Sequence, residues 1–327
     1  MTVTDAAPPL QVRGLVKRYG ALTAVAGVDV TVNAGDVYGY LGPNGAGKTT
    51  SLRMMLGLIR PTAGTVRLFG RDPMESVRAL EGVAGFVEAP AFYPYISARR
   101  NLDMLAAYDG GGATGRVDEA LATVDLSHRQ GDKVGGYSHG MRQRLGIAAA
   151  LLRAPRLLLL DEPATGLDPA GMRDMRRLVR RLADEGMTVL LSSHLLSEVE
   201  EVCNRVAIVR SGQIVYEGEI AALKRGAGTS YRLHTTDDGR ARAVCEAQAG
   251  VSAVRRADGY VEFAAADETA VGLLSQALVE AGTLIHSLAP QTVTLEDLFF
   301  SLTESDDATP VVPASDGSDH RADGALA

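Results

Sequence analysis

The chain has 327 residues, 46% of them hydrophobic, which is enough for one sizeable core and a second, smaller domain. Five of its seven net negative charges lie in residues 304–327, which hold six acidic residues and one arginine. The near-neutral balance of the remainder gives no support to broad nucleic-acid binding, which usually shows a basic footprint, so we expect no nucleic-acid partner.

A transmembrane helix needs about 18–20 consecutive apolar residues. The most apolar stretch, residues 147–160, is interrupted by Arg153, Pro155 and Arg156. Residues 1–9 contain an acid and two prolines and have no apolar segment, so we interpret them as a flexible N-terminus and not as a signal peptide. A role at a membrane would therefore depend on a membrane-embedded partner.

In chain order, residues 10–225 alternate short apolar runs with helical patterns, which predicts an α/β fold with a largely parallel sheet. A Ser-Gly pair at residues 211–212 predicts a hairpin turn. Residues 97–153 have mainly helical patterns and are interpreted as a helical insert. Buried strands are expected at residues 37–41, 83–87, 157–160, 188–191 and 205–209.

Residues 228–303 have a different pattern, and we interpret them as a small α+β domain. Strands are predicted at residues 231–234, 251–255, 260–264 and 283–288, and helices at 240–249 and 267–281. This β-α-β-β-α-β order is typical of a ferredoxin-like unit. Thr294-Leu-Glu-Asp297 predicts the capped start of a final helix. The acidic residues 304–327 have little apolar surface to bury and are expected to be disordered.

The segment Gly42-Pro-Asn-Gly45-Ala-Gly47-Lys48-Thr49 fits the phosphate-binding P-loop pattern in full and lies between a predicted strand and a helical pattern. Glycines let the backbone wrap around phosphates, and the helix N-terminus adds a positive dipole end. Lys48 supplies charge for the β- and γ-phosphates, and the Thr49 hydroxyl can ligate Mg²⁺. We therefore predict that ATP and Mg²⁺ bind here, with nucleotide contacts from Gly42, Pro43, Asn44, Gly45, Ala46, Gly47, Lys48, Thr49 and Thr50.

The apolar run at residues 157–160 ends in two carboxylates, Asp161 and Glu162. Asp161 is placed to hold the metal ion through water, as in P-loop NTPases. Glu162 is the candidate general base that polarises the attacking water. The alternative is a core strand that ends in a surface acidic pair, and the P-loop in the same chain weighs against it.

Further motifs carry a family resemblance. Residues 137–144, Tyr-Ser-His-Gly-Met-Arg-Gln-Arg, resemble the signature motif of ATP-binding-cassette (ABC) ATPases, and residues 163–168, Pro-Ala-Thr-Gly-Leu-Asp, resemble their D-loop. His194 resembles their switch histidine, and Tyr19 matches the aromatic residue that stacks on adenine in this family. The resemblance covers residues 10–225 in one continuous order and implies a P-loop NTPase core of the ABC type.

The resemblance also implies a mechanism in which two copies of the chain close head to tail around two ATP molecules. The P-loop of one copy, and Ser138 and Gly140 of the other, would grip the same γ-phosphate. His194 would contact that phosphate, and Asp168 would organise the dimer seam. Taken singly, these residues have plainer interpretations: the histidine as a neighbour of a helix cap, and Asp168, which precedes a proline, as a helix N-cap.

The sequence departs from the family pattern in two places. The signature of the family is Leu-Ser-Gly-Gly-Gln, and here Tyr137, His139 and Met141 replace three of those five residues. Glu88 stands where the family commonly places a glutamine that touches Mg²⁺ and the attacking water. A carboxylate can still ligate Mg²⁺ but cannot donate a hydrogen bond. Glu88 is therefore a candidate catalytic and metal-binding residue, with a surface acid in an ordinary loop as the alternative.

A glutamate at this position resembles the bacitracin-export and lantibiotic-immunity branch of the family, and residues 294–303 resemble the C-terminal end of drug-export ATPases of the daunorubicin-resistance type. These likenesses imply an ATP-hydrolysing subunit that drives export of a drug, peptide antibiotic or lipid-like substrate. The permease would be a separate chain, which holds this subunit at the cytoplasmic face of the membrane. By the same analogy, the aromatic residues 92–95 lie near the groove that receives the permease, although ordinary packing of the helical insert explains them nearly as well.

Two alternatives from other functional classes stay open. One is a soluble ABC-type ATPase that acts on a nucleic-acid or ribosomal partner. The other is a regulatory module that uses ATP as a dimer clamp without hydrolysing it. The departures at Glu88, His139 and Met141 make the second alternative conceivable, whereas the intact Lys48 and Glu162 argue against it.

Overall fold

The structure is a computed structural model that describes residues 7–108, 112–226, 229–257 and 259–291. The predicted helix at residue 294 and the predicted disorder of residues 304–327 lie outside these ranges. The strands are β1 (Leu10–Tyr19), β2 (Leu22–Val32), β3 (Val37–Leu41), β4 (Ala63–Leu68), β5 (Val83–Phe86), β6 (Leu157–Asp161), β7 (Thr188–Ser193), β8 (Arg205–Arg210), β9 (Gln213–Glu219), β10 (Thr229–Thr235), β11 (Val251–Ala257), β12 (Tyr260–Ala265) and β13 (Ile285–Gln291). The α-helices are α1 (Lys48–Met55), α2 (Ala98–Tyr108), α3 (Val117–Thr123), α4 (His139–Leu151), α5 (Pro169–Asp184), α6 (Leu196–Val202), α7 (Ile220–Gly226), α8 (Asp238–Ala247) and α9 (Glu268–Glu280).

The central sheet has six strands in the order β5-β6-β7-β3-β8-β9. The first five run parallel, and β9 pairs antiparallel with β8 across the predicted hairpin. Every residue of β3 and of β6 is buried, which explains why these strands occur as uninterrupted apolar runs in the sequence. The predicted α/β class with a largely parallel sheet is confirmed. Strand β5 ends at Phe86, one residue before its predicted end, and β7 continues to Ser193, two residues beyond its predicted end.

The central sheet separates two hydrophobic clusters, and the alternation of side chains along β3 assigns each residue to one of them. Tyr38 and Tyr40 pack with α1 and the N-terminal strands, whereas Val37 and Leu41 belong to the cluster that contains residues of helices α2 to α6. Gly39 lies under α6, where a Cβ would be 2.6 Å from a methyl carbon of Val199. The chain can therefore bring α6, and the loop before it, directly against β3.

A second sheet, with three antiparallel strands in the order β2-β1-β4, was not predicted from the sequence. Its strands β1 and β2 alternate buried with exposed residues, so they lack the apolar runs by which the central strands were recognised. Strands β1 and β2 pair from Leu10 opposite Val32 to Tyr19 opposite Leu22. This hairpin places Tyr19 at its tip.

Helices α2, α3 and α4 lie within residues 97–153, where a helical insert was predicted. Their buried hydrophobic residues join the cluster that also contains residues of α5 and α6. None of the helices in the described ranges is long and apolar enough to cross a membrane.

The third sheet is antiparallel, with the order β11-β12-β10-β13, and residues of α8 and α9 complete its separate core. This arrangement has the β-α-β-β-α-β order of the predicted ferredoxin-like unit. Helix α8 begins at Asp238, two residues before the prediction, because Asp237 caps it by accepting a hydrogen bond from the amide of Arg240. Strand β13 begins at Ile285, two residues later than predicted.

Candidate functional site

The loop between β3 and α1 forms a cradle of backbone groups. Gly45 and Gly47 have φ values of 83° and 97°, which glycine adopts without a steric penalty. At Gly42 and Gly47 a side chain would also collide with backbone: a Cβ would lie 2.4 Å from the carbonyl oxygen of Val209 and 2.3 Å from that of Ala24. The protein's own backbone therefore requires glycine at these positions of the P-loop.

Helix α1 begins at Lys48, directly after this cradle. Its N-cap, Gly47, provides no side-chain hydrogen bond, and its first turn holds no acidic residue. Because the first amides of a helix lack partners within the helix, they are available to an anion at this end. The cradle thus fits the triphosphate of ATP that the sequence predicts.

The Lys48 side chain is buried, with 4% of its surface exposed, and it lies inside the cradle. Its Nζ atom donates to the carbonyl oxygens of Gly42, at 2.8 Å, and Pro43, at 3.2 Å, and forms an ion pair with Oε1 of Glu162 at 3.1 Å. A lysine ammonium has three N–H bonds, so these partners occupy all of them. A phosphate that binds Lys48 directly must displace at least one of these partners.

Glu162 follows β6 with a φ of 47°, a conformation that is uncommon for residues other than glycine and often occurs at functional sites. Its amide donates to Oγ of Ser192, and its Oε2 accepts from Oγ1 of Thr165, at 2.8 Å, and from Nδ1 of His194, at 2.9 Å. Partial burial raises the pKa of this carboxyl, but hydrogen bonds from Thr165 and Lys48 and the charges of Lys48 and His194 outweigh it, so that the pKa lies below its ordinary value. Glu162 is therefore an ionised carboxylate at neutral pH.

Asp161, the last residue of β6, is 5% exposed. Its Oδ1 accepts a hydrogen bond of 2.5 Å from Oγ of the fully buried Ser192. The two residues face each other in the parallel register of β6 and β7. Sequence reasoning missed Ser192, which becomes recognisable only once β6 and β7 are known to be neighbours.

Residue Ser193 links His194 to the P-loop and to α6. Its carbonyl oxygen accepts from the amide of Gly42 at 3.2 Å. Its Oγ donates to Oε2 of Glu198 at 2.8 Å and accepts from the amide of Leu195 at 2.9 Å. Glu198 is 7% exposed, and this burial raises its pKa. The position of the predicted switch histidine is thus fixed on both sides by hydrogen bonds.

The signature residue Ser138 and the D-loop residue Asp168 make their contacts away from Lys48 and Glu162 in the single chain. Ser138 is the N-cap of α4, where its Oγ accepts from the amide of Met141 at 3.2 Å, and Asp168 is the N-cap of α5, where it accepts from the amide of Gly171 at 2.7 Å. The plainer interpretation of Asp168 as a cap therefore describes the isolated chain. Contacts of Ser138, Gly140 and Asp168 with a nucleotide stay predictions, because they involve a second copy.

Two other predicted residues are exposed and contact residues outside the P-loop cradle. Tyr19 is 49% exposed, and Nζ of Lys17 lies 5.1 Å from its ring centroid. Glu88 has a φ of 69° and an exposed side chain, and its carboxylate forms an ion pair with Arg53 of α1. The structure therefore unites Lys48, Glu162 and His194 directly, but it pairs Glu88 with α1. A metal-binding role for Glu88 stays a prediction.

The P-loop cradle, the carboxylates of Asp161 and Glu162 at the end of β6 and directly after it, and the histidine after β7 define an ATP-binding cassette. The family model for ABC transporters matches residues 25–165. The chain is 38% identical over 291 residues to a bacitracin transport ATP-binding protein of Bacillus licheniformis, covering 88% of this chain and 95% of that protein. It is 35% identical over 305 residues to a daunorubicin/doxorubicin resistance ATP-binding protein of Streptomyces peucetius, covering 90% of this chain and 92% of that protein.

Among solved structures, the ADP conformation of an ATP-binding cassette of an ABC transporter is similar, with a TM-score of 0.59 and 26% identity over 65% of this chain and 91% of that one. The chain therefore belongs to the ABC transporter family. It is an ATP-binding, ATP-hydrolysing subunit of that family.

Proposed function

We propose that this chain is the ATPase of an exporter, and that closure of two copies around ATP drives a permease on a separate chain at the cytoplasmic face of the membrane. The observation that carries the ATPase part is the ionised carboxylate of Glu162, held beside the P-loop by Lys48, Thr165 and His194. The names of the relatives, which concern bacitracin transport and daunorubicin/doxorubicin resistance, favour a drug or peptide antibiotic as the cargo.

In this function, the cradle amides and Lys48 bind the β- and γ-phosphates, and Glu162 accepts a proton from the attacking water. The Thr49 hydroxyl and the buried Asp161 carboxylate suit Mg²⁺, which typically takes one or two protein carboxylates and the phosphates of its substrate. When bound, the metal neutralises charge that develops on the phosphates. His194 donates through Nδ1 to Glu162, so a hydrogen bond from its other nitrogen to phosphate requires a doubly protonated ring.

The partner copy would complete the site through the start of α4. The Ser138 hydroxyl accepts from Met141 and keeps its own hydrogen to donate outward. At Gly140 a Cβ would meet only Leu167, at an ordinary contact distance of 3.5 Å. Packing within the chain therefore does not require glycine at residue 140. Because glycine has no side chain, a group from outside, such as a phosphate bound to the second copy, can approach the backbone closely at this position.

The permease part of the proposal is supported by an apolar groove of about 500 Å³ between β5 and the helices α2 and α4. Three apolar residues on its lining are well exposed: Leu58 by 63%, Leu105 by 43% and Tyr108 by 88%. Phe92, which belongs to the aromatic segment at residues 92–95, also lines this groove. An apolar groove of this kind suits the apolar face of a partner helix.

The test uses the tagged full chain, recovered from detergent-solubilised membranes of the source cells. The proposal predicts that a multi-span membrane protein co-purifies and that Leu105→Glu abolishes its recovery without changing ATP affinity. The matched control is Leu273→Glu on α9, since Leu273 is also half exposed but lies outside the groove. Recovery of ribosomes or nucleic acid instead, or equal recovery with Leu105→Glu, would contradict the proposal.

A further inference from the structure

The unusual signature residue His139 touches the D-loop of its own chain. Its Nε2 lies 3.1 Å from the carbonyl oxygen of Thr165, and because a carbonyl only accepts, this nitrogen carries the hydrogen. The ring also lies against Gly166, where a Cβ would be 3.5 Å from Nε2. The start of α4 is therefore in contact with the loop that follows Glu162.

Thr165 connects this contact to Glu162. Its Oγ1 donates to Oε2 of Glu162 at 2.8 Å, and its amide donates to the carbonyl oxygen of Glu162 at 3.2 Å. Thr165 thus holds the side chain and the backbone of Glu162 together in one turn. A shift of the Thr165 backbone would move both hydrogen bonds.

The two oxygens of Glu162 have different partners. Oε2 accepts from Thr165 and His194, which occupies the two acceptor positions of one carboxylate oxygen. The partner of Oε1 is Lys48, at 3.1 Å. If the γ-phosphate displaces Glu162 from Lys48, Oε1 becomes free while Oε2 keeps both of its partners.

We propose that Thr165 is a positioning residue for Glu162, that His139 holds Thr165 in place, and that the proton of the attacking water therefore goes to Oε1. In that step an O–H bond of water breaks, its proton moves to Oε1, its oxygen bonds to the γ-phosphorus and the bond to ADP breaks. The inference rests on the proposed function, because it takes Glu162 as the base. Ser138, next to His139, would face the nucleotide of the second copy. The start of α4 would therefore contact one ATP through Ser138 and position Glu162 at the other through His139 and Thr165.

The first test compares Thr165→Val, which keeps the shape but lacks the hydroxyl, with Thr165→Ser, which keeps the hydroxyl. ATP hydrolysis is measured with the full chain in complex with its membrane partner, and affinity is measured with a fluorescent ATP analogue. The inference predicts that Thr165→Val lowers kcat by about tenfold, the equivalent of one hydrogen bond, with KM and affinity within about twofold. Thr165→Ser restores kcat. Equal kcat for Thr165→Val and the unchanged chain would overturn the inference.

The second test asks whether His139 acts through Thr165. His139→Ala should lower kcat, whereas His128→Ala, which changes an exposed histidine elsewhere in the insert, should not. In the Thr165→Val background, His139→Ala should have no additional effect. If the losses of kcat from His139→Ala and Thr165→Val were additive, His139 would not act through Thr165. If His139→Ala lowered the thermal midpoint of the nucleotide-free chain but left kcat unchanged, His139 would be a structural residue only. An unchanged complex that binds ATP but releases no phosphate would instead contradict the proposed function, and this inference with it.

Discussion

The hydrogen bond between Ser192 and Asp161 gives a prediction that needs neither nucleotide nor metal. Ser192 is fully buried, and its Oγ donates to Oδ1 of Asp161 at 2.5 Å and accepts from the amide of Glu162 at 3.0 Å. Ser192→Ala removes both interactions and leaves a carboxylate that is 5% exposed without this donor. A hydrogen bond to a charged group contributes about 1.5–3 kcal/mol, so we expect a free energy of unfolding lower by about 2 kcal/mol.

The assay is urea unfolding of the nucleotide-free full chain, followed by circular dichroism. A domain of this size loses about 2–4 °C of its midpoint per kcal/mol, so a thermal scan should show a decrease of about 4–8 °C. Ser197→Ala, at an exposed position of α6, is the matched control and should change stability by no more than about 0.5 kcal/mol. If Ser192→Ala were as stable as this control, the hydrogen bond to Asp161 would not have the strength assigned to it.

Three further predictions concern single residues of the site. Lys48→Ala removes the ammonium group that occupies the cradle, so binding of a fluorescent ATP analogue should be lost; unchanged affinity would refute the phosphate site. Glu88→Gln breaks only an exposed ion pair with Arg53, worth about 0–1 kcal/mol, so the free energy of unfolding should hardly change. If Glu88 binds the metal, the Glu88→Gln variant should need more Mg²⁺ than the unchanged chain for half-maximal hydrolysis. An unchanged Mg²⁺ requirement would exclude that role. Glu198 has a folded-state pKa raised by burial, so the stability linked to its protonation is present below its unfolded pKa and lost as pH rises through its folded pKa. The stability of Glu198→Gln relative to the unchanged chain should therefore grow with pH above the ordinary glutamate value, and a flat difference in urea unfolding would contradict this.

The sequence was sufficient for the parts of the site that follow from local pattern. Strand β3 has the predicted bounds because an apolar run with buried residues on both faces ends where the glycines begin. Lys48 and Glu162 lie in separate segments, but both follow parallel strands, whose carboxyl ends meet at one edge of the sheet. Their proximity could therefore be expected once the strands were recognised.

Contacts that depend on strand order or on turn geometry could not be predicted in this way. Ser192 meets Asp161 only because β7 is the neighbour of β6, and Thr165 meets Glu162 only because the D-loop turns back on itself. The ion pair of Glu88 with Arg53 joins a loop to a helix far away in the sequence. The antiparallel strands β1, β2 and β4 were missed because half-exposed strands lack a continuous apolar run.

The most direct test of the account is single-turnover phosphate release by Glu162→Gln in the complete complex, with ATP affinity and dimer formation measured on the same samples. The amide cannot accept the proton of water and no longer offers Lys48 an anionic partner. We expect ATP to bind at least as tightly as to the unchanged chain, an ATP-bound dimer to accumulate, and phosphate release to be slower by about 100-fold or more. Release at the rate of the unchanged chain would show that Glu162 is not the base.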